Sequence, residues 1–258
     1  MTTAIVTAHF GEWLQGRLGP DGPVVLVTLP CPAFHVDTPG ATPPAFAADV
    51  LDRFSAGLGL NSLPKGVTRN FPPAIGAGAS TADLIALARA AGYQGTPERL
   101  AEACIGVEKA SDPLMFPDPD RLLWASRQGR VLRVMARPPR AAILGGLWGA
   151  PVYTDAQDET FDDVTDLVQD WEKASQQADL PRLAALASES ARRCTTRRGP
   201  PDPMADLARA LGALGVVRAH TGSARGLVFA PGTVPAHGPE TVSEAGLTAV
   251  LTFETGAP

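Results

Sequence analysis

The stretch FPPAIGAGASTADLIALARAAG, residues 71–92, places the tightest constraint on this chain. Two glycines alternate with alanines and run straight into a helical pattern. Leu84, Ile85, Leu87, Ala88 and Ala91 form the apolar side of a helix over 80–91, and Gly92 suits its C-terminal stop. A P-loop needs a lysine followed by serine or threonine, and AIGAGAST has no lysine. A dinucleotide fingerprint needs a third glycine where Thr81 stands, and here Pro72 and Pro73 precede the glycines. Two readings remain. In one, a glycine-rich turn feeds a helix capped by Ser80, with Asp83 at capping-box spacing. In the other, the glycines let backbone N–H groups approach a phosphate closely. The helix N-terminus then adds free N–H groups and the positive dipole end, and Ser80 or Thr81 adds a hydroxyl to phosphate or magnesium. The turn accounts for Ser80 but does not require both Gly76 and Gly78. On this stretch alone the two readings stand level.

With 258 residues the chain has room for one large domain or two small ones. A formal net charge of −5, with both signs spread along the chain, argues against a broad basic face for nucleic acid but not against a local anion site. The most basic cluster, ARRCTTRRGPP (191–201), reads as a solvated helix end and loop. Cys31, Cys104 and Cys194 are odd in number and far apart, which suggests neither a disulfide framework nor a zinc site. The start MTTAIVTAHF lacks the basic opening and long apolar core of a signal peptide. No apolar run reaches the roughly twenty residues that span a membrane. A cytoplasmic globular protein is expected, with its oligomeric state open.

PVVLVTLP (23–30) reads as a buried strand, with AIVTAHF paired to it across the turn GPDG. A helix is expected over 46–58. Another starts at Pro97 with Thr96 as its cap, carries Leu100, Ala103, Cys104 and Val107 on its core face, and runs to Asp112, before Pro113. GRVLRVMAR follows as a strand. RPPR (137–140) is the best candidate boundary. Beyond it come AAILGGLW, three helical patterns (around Phe161–Trp171, Leu183–Ala187 and Met204–Leu214), and the strands GLVFA and GLTAVLTFE. Strands and helices mix without strict alternation. That favours an α+β fold in two lobes, 1–138 and 139–258.

Four segments, in order, carry a family resemblance: AHFGEWLQG (8–16), ASTAD (79–83), VEKASD (107–112) and RAHTGSARGLVFAPG (218–232). Together they resemble the GHMP kinases, named for galactokinase, homoserine kinase, mevalonate kinase and phosphomevalonate kinase. GEWLQG is most similar to the opening motif of the propanediol-utilisation type L-threonine kinases. The resemblance implies two α+β lobes with ATP and substrate in the cleft between them. It implies that Gly76, Ala77, Gly78, Ala79, Ser80 and Thr81 line the triphosphate, with Ser80 nearest a magnesium ion. Glu12 and Gln15 would border the substrate, and Thr221, Gly222 and Ser223 would border phosphates or substrate. Two departures stand out. Many relatives carry two serines in the phosphate loop, where Ala79 here precedes Ser80. The third motif has Ser223, Ala224 and Arg225 in place of a dense glycine run. Arg225 either clamps phosphate or faces solvent.

Glu108 and Asp112 lie four residues apart, on one face if the helix spans both. They read either as a solvated surface pair or as a working pair. At a helix C-terminus the dipole disfavours an anion, and like charges at this spacing repel mildly; a magnesium ion or Lys109 would offset both. Relatives use such a glutamate for magnesium and such an aspartate near the substrate hydroxyl, which implies Glu108 as metal ligand and Asp112 as base or orienting group. His9, His35, His220 and His237 fit no metal-ligand pattern and read as structural or solvent-facing. The implied activity is ATP-dependent phosphorylation of a small alcohol, with L-threonine favoured and its phosphate feeding corrinoid biosynthesis. Homoserine, a sugar, or a catalytically silent ligand sensor are the rival readings. If Ser80 carries the metal, Ser80→Ala weakens magnesium-ATP binding more than binding of magnesium-free nucleotide. Calorimetry with and without magnesium checks this, and equal losses would remove Ser80 from the metal.

Overall fold

The structure, a computed structural model, describes residues 2–153, 155–158 and 160–256. β1 (Ala4–Arg17) and β2 (Val24–Thr42) form a long antiparallel hairpin across the expected turn, from Arg17 opposite Val24 to Ala4 opposite Thr38. β3 (Val67–Arg69) and β4 (Leu122–Ala125) pair with β2, and β5 (Arg130–Val134) pairs with β4. β6 (Ala142–Leu147), β7 (Gly215–Arg218), β8 (Ala224–Phe229) and β9 (Thr248–Glu254) make the other half. Among the described residues these form one nine-stranded sheet of order β5-β4-β2-β1-β7-β8-β6-β9, with β3 beside β2. The halves meet where Glu12 of β1 pairs with Arg218 of β7. The chain crosses between them in the segment that holds RPPR, and the division into lobes at 138/139 is our proposal for how they separate.

α2 (Ala79–Ala90) packs on β1 and β2 and is buried on nearly every side, from Thr81 to Ala88 and at Ala90. A helix apolar all round belongs inside, so one expected stripe becomes a central rod. α3 (Pro97–Glu108) lies beside it, and α1 (Ala48–Gly57) packs on α3. α4 (Thr165–Gln176) and α5 (Leu180–Arg198) pack against β1, where the Trp13 and Trp171 rings meet at 5.7 Å. α6 (Met204–Leu211) and α7 (Gly238–Glu244) cover the β6–β9 half.

Three local expectations are corrected. The helix from Pro97 stops at Glu108, not Asp112, because Lys109 turns into the left-handed region at φ +64°. Ser111 then bonds across to β4 and its end: its N–H reaches the Ser126 carbonyl at 3.0 Å, and its own carbonyl accepts the Trp124 indole N–H at 2.7 Å. These bonds outweigh continued helix, so Glu108 and Asp112 do not share a helix face. Ser80 is not the cap of α2. Gly78 holds that position, and Asp83 is buried in an ion pair with Arg69. Arg225 neither faces solvent nor reaches outward as a clamp. It is 1% exposed and spends its donors on Asp202 and on the carbonyls of Gly222 and Ala224. The basic cluster does form the end of α5 and the loop after it, with Arg192, Arg193, Arg197 and Arg198 in surface ion pairs with Glu189, Asp166, Asp162 and Asp158.

Gly222 shows how tightly the middle is packed. Its φ is +109°, and a Cβ there would lie 2.4 Å from the Gly76 nitrogen. At Gly19, φ is +76° with nothing within 4 Å. Gly19→Ala should therefore cost about 1 kcal/mol from backbone strain alone. Gly222→Ala should cost more than about 3 kcal/mol, since backbone must also move. Urea denaturation of the two variants compares them directly, and equal losses would mean the contact relaxes freely.

Candidate active site

The site grows from a β-bulge. Along a regular strand, residues three apart face opposite ways. In β1, His9 lies opposite Pro30 but Glu12 opposite Thr28, so one extra residue is inserted between them. That insertion returns His9 and Glu12 to the same side. Gly11, at φ +71°, supplies the left-handed turn, and a Cβ there would strike the backbone of Arg218 and Ala219 at 2.5–2.9 Å.

The bulge docks the loop before α2. The Gly11 N–H donates to the Gly76 carbonyl at 3.0 Å, and the His9 N–H to the Ala77 carbonyl at 3.3 Å. From the other side, the Ala224 N–H donates to the Ile75 carbonyl at 2.9 Å. Ala74, Gly76 and Gly78 all take positive φ, so the loop winds tightly before opening α2 at Gly78. The N–H groups of a helix's first turn, beside two glycines, are of the kind that can receive an anion. The loop opens into a cavity of about 510 Å³.

Of the residues expected at the site, Glu12, Gln15, Gly76, Ala77, Gly78, Ala79, Ser80, Glu108, Asp112 and Thr221 line this cavity. Gly222 packs behind the loop against Gly76, and Ser223 is buried. Thr81 is buried too and acts as a strut. Its hydroxyl donates to Glu108 Oε2 at 3.0 Å and accepts the Asp112 N–H at 3.3 Å. Ser80 donates to the same Oε2 at 2.6 Å. Glu108 Oε1 is sequestered with no hydrogen bond. Burial pushes the Glu108 carboxyl up to about 8, against the pull of the two hydroxyls. An orphaned carboxylate oxygen beside a serine hydroxyl, next to a glycine-rich helix start, suits a hard divalent cation such as magnesium.

His9, set aside as structural or solvent-facing, lies at the centre. It is 2% exposed, and its Nε2 stands 3.3 Å from Asp112 Oδ2. His9, Glu12 and Asp112 bring one polar atom each within 4.8 Å of one another. Glu12 Oε2 accepts the His220 N–H at 3.1 Å. Burial lifts the Glu12 carboxyl to about 7, with His9 opposing. His220 stacks on Phe161 at 4.1 Å and is held neutral, its pKa pushed to about 3 by burial and then by Arg198 and Arg218. Arg69, Arg127, Phe46, Tyr153 and Phe161 also line the cavity and carried no motif signal. His9 did have one, since it sits inside AHFGEWLQG.

No protein-family profile and no curated protein sequence matches the chain. Solved structures do. A mevalonate kinase from L. major in complex with R-mevalonate aligns over 99% of this chain and 96% of its own, at 14% identity and TM-score 0.59. The mevalonate kinase of Methanococcus jannaschii aligns over 98% and 97%, at 10% identity and TM-score 0.59. A 4-(cytidine 5'-diphospho)-2C-methyl-D-erythritol kinase aligns over the whole of both chains, at 18% identity and TM-score 0.53. The chain has the GHMP kinase fold, and these three neighbours are small-molecule kinases. Among the described residues no helix is long and apolar enough to cross a membrane.

Glu12 yields a pH prediction. Its carboxyl is neutral in the fold up to about pH 7, while the ordinary value is 4.5. The stability it lends is fully present below 4.5 and is lost as the pH rises through about 7. The slope reaches at most about 1.4 kcal/mol per pH unit. Glu12→Gln keeps an acceptor for the His220 N–H and should flatten this slope. Denaturant unfolding at pH 5, 6, 7 and 8 measures it, and parallel slopes would place the Glu12 charge in solvent.

Proposed function

We propose that this protein is an ATP-dependent kinase that transfers the γ-phosphoryl group to the hydroxyl of a small alcohol. One observation carries the reading: the glycine-rich start of α2 and the carboxylates of Glu108 and Asp112 line a single cavity side by side. Gly76 to Thr81 cradle the triphosphate, with backbone N–H groups doing what a lysine does in a P-loop. Glu108 and Ser80 hold magnesium, which when bound neutralises charge on the phosphate oxygens. Catalysis rests on positioning and on charge placed where the transition state needs it. Asp112 accepts the alcohol proton or holds the hydroxyl in line. Glu12 and Gln15 border the substrate, and Thr221, with Gly222 and Ser223 behind it, closes the phosphate side.

L-threonine is the favoured alcohol. GEWLQG supports it through its likeness to the L-threonine kinases, and the product would then be L-threonine phosphate for corrinoid biosynthesis. An ADP-release screen with magnesium-ATP and a panel of amino acids and other alcohols tests both levels. Turnover on threonine alone is expected. Turnover on homoserine or a sugar instead would keep the kinase and change the substrate. Nucleotide binding without turnover on any alcohol would make the protein a sensor.

Asp112→Asn keeps the shape of the side chain and removes its charge. The expected result is a fall in kcat of roughly 100-fold or more, the scale for losing a general base, with ATP affinity nearly intact. Single-turnover transfer at saturating ATP and alcohol reads it, and wild-type rates would take Asp112 out of the chemistry.

A further inference from the structure

The contact between His9 and Asp112 is built from several sides. His9 Nδ1 lies 3.1 Å from the Gly11 carbonyl, which accepts only if Nδ1 carries the proton. Nε2 then faces Asp112 Oδ2 at 3.3 Å. A neutral ring of that tautomer would set a lone pair against a carboxylate, so the contact is attractive only with a proton on Nε2, as an ion pair outside hydrogen-bond geometry. Gly78 makes room for it. A Cβ at 78 would lie 2.7 Å from His9 Cδ2 and Nε2, and 3.0 Å from Asp112 Oδ2. The peptide N–H of Asp112 is anchored separately on Thr81. Two attachments, one through backbone and one through side chain, thus locate this carboxylate.

We propose that His9 is a positioning residue that, with a proton on Nε2, pairs with Asp112 Oδ2 and so holds Oδ1 toward the reacting hydroxyl. This rests on the kinase reading. In the reaction, the alcohol oxygen bonds to the γ-phosphorus as the bond to the β,γ-bridging oxygen breaks. That electron pair leaves with ADP, and the alcohol proton passes to Asp112. His9 acts through Asp112 and not on the nucleotide. The charged groups around it are Asp112 after α3 and Glu12 on β1, with Arg218 of β7 acting on Glu12; α2 presents Gly78, which has no charge. Burial disfavours the imidazolium, but Asp112 and then Glu12 outweigh it and raise the His9 pKa above 6.5. The Nε2 proton is present at low pH and lost as pH rises through that raised value.

Ring nitrogen NMR of the full-length protein reads the pair without any His9 variant. The His9 titration should fall by one pH unit or more in Asp112→Asn. An unmoved titration overturns the proposal. In kinetics, His9→Gln should lower kcat about 10- to 100-fold, leave the KM for ATP within about twofold and erase the alkaline limb of the wild-type kcat–pH profile. The double variant with Asp112→Asn should be no slower than Asp112→Asn alone; additive losses overturn action through Asp112. A moved titration in a protein that phosphorylates no alcohol overturns the kinase reading and the catalytic role with it. An unmoved titration in an active kinase overturns the pairing alone.

Discussion

The cavity depends on the close approach of three backbone segments: the β1 bulge at Gly11, the loop at Gly76 and the turn at Gly222. Each lacks a side chain where another segment's backbone arrives, and each takes a positive φ. Carbonyls of the loop accept N–H groups from β1 on one side and from Ala224 on the other. With its carbonyls engaged this way, the loop can leave N–H groups for an anion. The spacing of the glycines in the sequence therefore reports two demands at once, mutual packing and an open cradle.

Charge follows from that packing. Glu12 and Glu108 are fixed by neutral donors, a backbone N–H in one case and two hydroxyls in the other. Neither donor set cancels a full negative charge, and burial lifts both carboxyls to about 7 and about 8. Asp83, which is also buried, is instead paired with Arg69, and the half-buried Asp202 with Arg225. Glu108 has two hydroxyls where those acids have an arginine, and under the kinase proposal its countercharge would come from a bound cation.

Much of this was legible where local pattern and tertiary role agree. The β1–β2 hairpin follows from its turn, and α2 from its apolar spacing and Gly92. β4 and β7 escaped because LLWA and GVVR are too short to show alternation. The end of α3 was misplaced because Pro113 looked sufficient, while the true stop lies in bonds that Ser111 makes to distant residues. Ser80 read as a cap because its spacing to Asp83 fits one, yet Asp83 is drawn inward by Arg69. His9 was passed over for a similar reason: metal patterns rest on ligand spacing, and its partner lies 103 positions away, at Asp112.

Gly78 gathers these strands into one position. Its φ of +69° starts α2, and its missing side chain leaves the His9–Asp112 contact intact. A larger residue there would meet His9 and Asp112 as well as any phosphate. Loss of activity on replacing Gly78 would thus leave open whether the cradle or the acid pair had failed. The two are separable at Asp112, whose side chain meets His9 while its peptide N–H is held by Thr81 of α2. In the proposed kinase, chemistry and nucleotide binding would be coupled through backbone and steric fit, and divided only at the level of single side chains.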